Sequence, residues 1–262
     1  MTRHGGQNGS TGPVLRRALH LLDAFGPQRR ALTLTELARH TGLPAPTAHR
    51  MLRELVAWGA LERGADGAYR IGLRIWELGS LAPRGLGLRE RALPSMEDLS
   101  QVTRENVQLA VREGTEVVYV ERIAGTAAVP VHTRVGGRFA MTATGVGLVL
   151  LAHAPDEVQQ EVLVGHIPQF TARTVTDPEE LRRMLAHVRT SGFSISDRQV
   201  TTDALSVGAP IHDVRGQVCA ALSLVVRYGS ASPHALSPLV RTSARAISRA
   251  LADADQGRIE ST

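Results

Sequence analysis

Residues Leu32–Gly72, LTLTELARHTGLPAPTAHRMLRELVAWGALERGADGAYRIG, read as helix, turn, helix and hairpin, and the rest of the chain is ordered around them. Thr33 and Glu36 stand at the spacing of a capping box, where hydroxyl and carboxylate satisfy each other's free amides. Leu34, Leu37 and Ala38 then share one side, and Gly42 supplies the left-handed residue that ends the helix. A second helix is expected near Pro44, whose fixed φ suits a first turn. On it Ala48, Met51, Leu52 and Leu55 mark the buried face, leaving Pro46, Thr47, Arg50, Arg53 and Glu54 outward with His49 on the flank. An α-helix fits the DNA major groove, where guanidinium groups reach guanine edges or phosphates. Ala60–Gly64 and Ala68–Gly72, joined at Ala65-Asp66-Gly67 and flanked by Arg63 and Arg70, form a hairpin suited to lie along the backbone as a wing. A solvated arginine face on a plain three-helix unit is the competing reading. Helix–turn–helix together with a basic hairpin favours DNA.

Charge supports that choice. The chain has 262 residues, 43% hydrophobic, enough for two domains. All 30 basic side chains are arginine and the formal charge is +5. Residues 1–85 hold 12 arginines against 6 acidic side chains, and the remainder 18 against 19. The positive field is therefore confined to the first third, where a polyanion would bind. Cys219 is the sole cysteine, so neither a disulfide framework nor a cysteine-based zinc site is available. No apolar run approaches the ~18 residues of a membrane span, and residues 1–12 lack a signal core, so a leader without structure and a cytoplasmic location are expected.

Before the central motif, Leu15, Ala18, Leu19, Leu22 and Phe25 form a helical stripe expected to support the helix pair. After it, Leu73–Leu88 is read as a linker helix, with Leu73, Trp76 and Leu81 free to pack against a second copy. Pro83, Gly85 and Gly87 mark the domain boundary. The domain over 89–254 is expected to be α+β: a helix over Arg89–Thr103 kinked near Pro94, then strands and helices in one antiparallel sheet with helices against it. Its strands are placed at Asn106–Val111, Glu116–Ile123, Val129–Thr133, Phe193–Ser196, Ser206–His212 and Val218–Val226. Its helices are placed at Val146–His153, Asp156–Leu163, Glu179–Thr190 and Pro233–Ala252, with 255–262 a tail.

Five segments together resemble the IclR family of bacterial transcriptional regulators: LTLTELARHTGLPAPTAHRMLREL, the wing ending YRIGLRIWELG, the loop Thr142-Ala143-Thr144-Gly145, TDPEELRRMLAHVRTSGFSIS and VGAPIHDVRGQVCAALSL. The resemblance implies a winged helix–turn–helix, a linker helix and a GAF-like domain that binds a small organic acid. It implies a repressor or activator binding a double-stranded operator as a homodimer or tetramer, without a cofactor. The DNA set is then Thr33, Thr35, Thr47, His49, Arg50, Arg53, Arg63 and Arg70. Ala45-Pro46 stand where the family often has Lys-Ser.

In the second domain the resemblance implies that amides of Ala143, Thr144 and Gly145 hold a carboxylate, as free amides at a helix start do. Opposite them it places Ser196 or the adjacent Asp197, Ser206 in place of a cysteine, Ser223, and Val225 where a second serine is common. So apolar a pocket points to a larger ligand, an aromatic or aliphatic acid. Ser206 and Ser223 can equally be hydrogen-bonded core hydroxyls, and His132 or His212 could line the pocket. A metabolite-binding regulator of a protein partner and a hydrolase are the alternatives. The hydrolase has no Gly-x-Ser-x-Gly elbow or His-Glu-x-x-His to support it, and the scattered histidines form no metal-ligand pattern.

Overall fold

The computed structural model describes residues 13–259. The expected leader at 1–12 and the last three residues lie outside them. The chain divides into two compact units, one ending at Ala82 and one beginning at Pro83.

The first unit holds α1 (Val14–Asp23), α2 (Leu34–Thr41), α3 (Ala45–Trp58), a hairpin of β1 (Leu61–Arg63) and β2 (Tyr69–Ile71), and α4 (Leu73–Ser80). Both halves of the capping box form: the Thr33 amide and hydroxyl donate to Glu36 Oε2 at 2.8 Å, and the Glu36 amide donates to Thr33 Oγ1 at 3.3 Å. These bonds, the backbone one foremost, hold the Glu36 carboxyl below its usual range. Gly42 and Gly59 close α2 and α3 in left-handed conformation. Leu21, Leu37, Ala48, Met51, Leu52, Leu61 and Tyr69 make the core. Leu32 exchanges both backbone hydrogen bonds with Tyr69 and so ties the entrance of α2 to the wing. Two expectations fail here. Of the expected α1 stripe Ala18, Leu22 and Phe25 pack partly buried on the core beside Leu21 and the capping Ala24, which are fully buried, while Leu15 and Leu19 face outward. The linker is not one helix through Leu88: α4 stops at Ser80, because the residue before Pro83 is pushed out of helical conformation.

In the second unit a π-helical turn at Pro83–Gly87 leads into α5 (Leu88–Thr103), which contains Pro94. Six strands follow: β3 (Asn106–Glu113), β4 (Glu116–Ala124), β5 (Arg138–Ala140), β6 (Ser194–Asp197), β7 (Ala204–His212) and β8 (Val218–Arg227). They form one antiparallel sheet in the order β5-β4-β3-β8-β7-β6. Between them run α6 (Gly145–Ala152), α7 (Asp156–Val164) and α8 (Pro178–Ser191), and α9 (Pro233–Ile259) closes the unit. The last helix therefore extends into the stretch expected to be tail.

Side chains alternate across the sheet. Val107, Leu109 and Val111, Leu205, Val207 and Ala209, and Leu222, Leu224 and Val226 all pack on α5 and α9. The other face carries Asn106, Gln108, Ser196, Ser206 and Ser223 at one end and meets α6 and α8 at the other. All eight residues of α6 are buried, as expected of a helix apolar on every side. The Val129–Thr133 stretch is not a strand. Pro130 lacks a ladder donor, and side chains hold the segment instead: Asn106 Nδ2 donates to the Val129 carbonyl at 2.8 Å and Gln108 Nε2 to Thr133 Oγ1 at 2.6 Å. The edge strand is β5, paired Glu116 to Ala140.

Candidate functional site

α3 presents His49, Arg50, Arg53 and Glu54 to solvent, with Thr47 half-buried, because its apolar residues are spent on the core below. Thr35 is exposed on the first turn of α2. Thr33 is exposed too, but its hydroxyl both donates and accepts within the cap, so its role is to start the helix. The two wing arginines differ. Arg70 grips Asp66 with both terminal nitrogens, at 3.2 and 2.6 Å, and this pairing holds the Asp66 carboxyl at about 2. The pair is therefore ionised and intact at any working pH. Arg63 has no carboxylate and lies over the Tyr69 ring, 5.6 Å from its centroid. Its charge is available to a phosphate, whereas Arg70 must first be released. Arg63→Ala is thus expected to flatten the dependence of DNA affinity on salt by about one unit of log–log slope, and Arg70→Ala by distinctly less. Titrations over a range of salt check this, and equal slopes for the two variants would refute it.

The second unit contains a partly open cavity of about 40 Å³, room for a few waters, between the polar end of the sheet, the start of α6 and two loops. Thr144 caps α6, its hydroxyl accepting from the Gly147 amide at 3.0 Å. Ser196 Oγ donates to the Ala143 carbonyl at 2.5 Å and Ser194 Oγ to the Gly145 carbonyl at 2.7 Å, so β6 holds the loop by its carbonyls. In a planar trans peptide the next N–H points the opposite way, and the Thr144 amide therefore faces away from β6. The amides of Gly145 and Val146 have no intrahelical acceptor. Gly145 is needed for close approach: a Cβ there would stand 2.5 Å from Ser206 Oγ and 3.3 Å from the Gly208 amide.

Two family models cover most of this chain. "IclR helix-turn-helix domain" matches residues 14–65, and "Bacterial transcriptional regulator IclR C-terminal" matches 82–249. The chain belongs to the IclR family.

IclR relatives include the HTH-type transcriptional regulator KipR of Bacillus subtilis, 34% identical over 79% of this chain and 83% of its own length. BhcR of Paracoccus denitrificans is 32% identical over 91% and 87%. An IclR homologue from Microbacterium hydrocarbonoxydans, solved in complex with 4-hydroxybenzoate, is 41% identical, covers 91% of this chain and 99% of its own, and superposes with a TM-score of 0.86. The IclR relatives are helix–turn–helix transcriptional regulators, so this chain is a DNA-binding regulator and not an enzyme. No described helix is long and apolar enough to cross a membrane.

Of the expected acid-binding residues in this IclR chain, Thr144, Ser196, Ser206 and Val225 line the cavity together. Ala143 and Gly145 are not among its lining residues; their carbonyls accept from Ser196 and Ser194. Asp197 does not take part: alternation turns it away from Ser196, and it pairs with Arg198, which stacks 3.6 Å from the centre of the Tyr228 ring. Ser223 is buried beneath the start of α6 with its hydroxyl unpartnered, so it is not a hydrogen-bonded core group. His132 lines the cavity. His212 instead faces a separate groove with His153, Asp156 and Arg189, where burial lowers its pKa. Gln108, Tyr119, Thr133 and Thr201 also line the cavity and were not anticipated. A glutamine and a tyrosine amid the apolar residues of β3 and β4 were the available signal.

Proposed function

We propose that this regulator binds a pseudo-palindromic operator as a homodimer through the Arg50 face of α3 and is switched by an aromatic carboxylic acid in the cavity beside α6. The cavity beside the start of α6, lined by its capping residue Thr144, carries the reading, because a helix start is a ready anion site and the exposed wall area is largely apolar. The Microbacterium relative, bound to 4-hydroxybenzoate, supports that ligand class. An aromatic acid exceeds the present volume, so it enters with outward movement of the strap at 126–135 or the loop at 198–203. Such a ligand acts on DNA only through its difference in affinity between DNA-competent and incompetent states. The concentration of basic charge in residues 1–85 favours DNA over a protein partner as target, and such a regulator works in the cytoplasm.

Arg50→Ala is expected to weaken operator binding by ~1–3 kcal/mol and to lower discrimination against random duplex. Gel shifts on the chain's own promoter region, with and without 4-hydroxybenzoate, test both halves of the proposal. Equal affinity of wild type and variant for operator would remove Arg50 from readout. A shift indifferent to a panel of aromatic acids would remove the switch.

A further inference from the structure

We propose that the cavity is built for an acid bearing a second polar group at its far end, the Tyr119 phenol meeting the carboxylate and the Thr201 hydroxyl meeting the distal group. The inference rests on the acid-pocket reading above and adds what the ligand must carry.

Buried hydroxyls normally have partners, since leaving one unpaired forfeits its hydration without return. Tyr119 is 1% exposed, and its oxygen makes no hydrogen bond of full geometry, the Thr144 hydroxyl being the one group near enough to interact. The Thr201 oxygen is likewise buried and unpartnered. Both residues line the same cavity. Two buried hydroxyls short of full hydrogen bonding, on residues lining one cavity, favour a ligand with polar groups to match.

Strand register separates the two. Tyr119 springs from the row Tyr119–Ala110–Ala221–Pro210, which runs beneath α6. The next row holds Gln108, Ser223 and Gly208, and the one after it Asn106, Val225, Ser206 and Ser196. Ala204, which borders the cavity beside Thr201, lies six residues along β7 from Pro210. Tyr119 is therefore at the α6 end and Thr201 at the opposite end, with Val225 on the floor between them.

The chemistry at each end differs. The Tyr119 phenol has the Thr144 hydroxyl, at the cap of α6, as a neighbour. Burial raises its pKa, so it stays a neutral O–H and donates to a carboxylate alongside the helix amides. The Thr201 hydroxyl can donate or accept, which suits a hydroxyl or carbonyl substituent. A short oxoacid would satisfy one end and leave the other unpaired.

Calorimetry with benzoate and 4-hydroxybenzoate on the full-length wild type, Tyr119→Phe and Thr201→Val tests this. Tyr119→Phe is expected to weaken both acids equally, by about tenfold or more, as for loss of one charge-assisted bond. Thr201→Val is expected to weaken 4-hydroxybenzoate alone and so erase its preference over benzoate. Wild-type affinities in Tyr119→Phe, a retained preference in Thr201→Val, or the reverse pattern would overturn the assignment. Wild type that ignores both acids would refute the acid-pocket reading itself. Melting of the ligand-free proteins then judges Tyr119 separately: an unchanged or raised Tm in Tyr119→Phe marks a phenol kept free for a ligand, and a lowered Tm overturns that role.

Discussion

Trp76→Glu is expected to render the protein monomeric and to cut operator affinity by roughly 10²–10⁴-fold, the loss that follows when two linked half-site contacts become independent. Trp76 is 65% exposed on α4, and Leu73 and Leu81 beside it are 63% and 75% exposed. Leu15, 70% exposed on α1, adds to the apolar surface of the same unit. So much uncovered side chain is costly in water, at ~25 cal/mol per Å². One recognition helix per chain reads only a half-site, so tight binding needs a partner about one helical turn away, ~34 Å. A carboxylate in place of the indole would have to be buried unpaired in any such interface. Sedimentation equilibrium and gel shift on the same samples check the result, with Glu77→Ala on the same helix as control. A Trp76→Glu protein that remains dimeric and binds its operator normally would end the dimer proposal.

Gly208→Val is expected to cost the second unit at least ~3 kcal/mol, the upper range for overpacking against atoms that cannot move aside. A Cβ at Gly208 would lie 2.6 Å from the Gly145 carbonyl oxygen and 2.7 Å from its carbon, both backbone. The sheet and α6 thus meet glycine to glycine. Relief would require lifting the helix, every residue of which is buried. At ~2–4 °C per kcal/mol for a unit of this size, Tm should fall by roughly 6–12 °C. Gly79→Ala, where a Cβ meets nothing within 4 Å, is the matched control and should be neutral or mildly stabilising. If Gly208→Val melts like wild type, helix and strand are not packed this closely. The same contact changes the role of Gly145. A side chain there would strike Ser206 before it reached a ligand, so Gly145→Val probes folding and is no clean test of the pocket.

Local chemistry made the first unit legible. The Thr33/Glu36 box, Gly42, the α3 stripe and the Asp66-Gly67 turn each specify their own geometry, and each forms as read. In the first helix Ala18, Leu22 and Phe25 pack on the core as expected, but Leu15 and Leu19 at its start face outward and Leu21, outside the expected stripe, is the most buried, because periodicity does not fix the exact centre of the inward face. The 129–133 stretch alternates as a strand does, yet its partners are side chains of Asn106 and Gln108 from a distant strand. The pocket was half legible. Thr144, Ser206 and Val225 sit on elements whose alternation could be read, but Tyr119 and Thr201 reach the cavity from β4 and a loop, which only the tertiary fold brings together. Asp197 failed through a single step of strand alternation: two adjacent residues cannot face the same side.

The glycine-to-glycine seat of α6 gives the cavity one wall that cannot drift. A Cβ at 145 or 208 meets Ser206 or the Gly145 backbone at under 3 Å, so the wall beside the start of α6 is fixed by packing alone. The strap and the β6–β7 loop are held instead by side-chain bonds, such as Gln108 to Thr133 and Thr174 to the Gln199 carbonyl at 2.6 Å, which can be exchanged one at a time. On the acid-pocket proposal, new ligand preferences would arise by rewriting the two loops while the start of α6 is kept. Random mutagenesis for altered inducers should return its hits there and spare the start of α6.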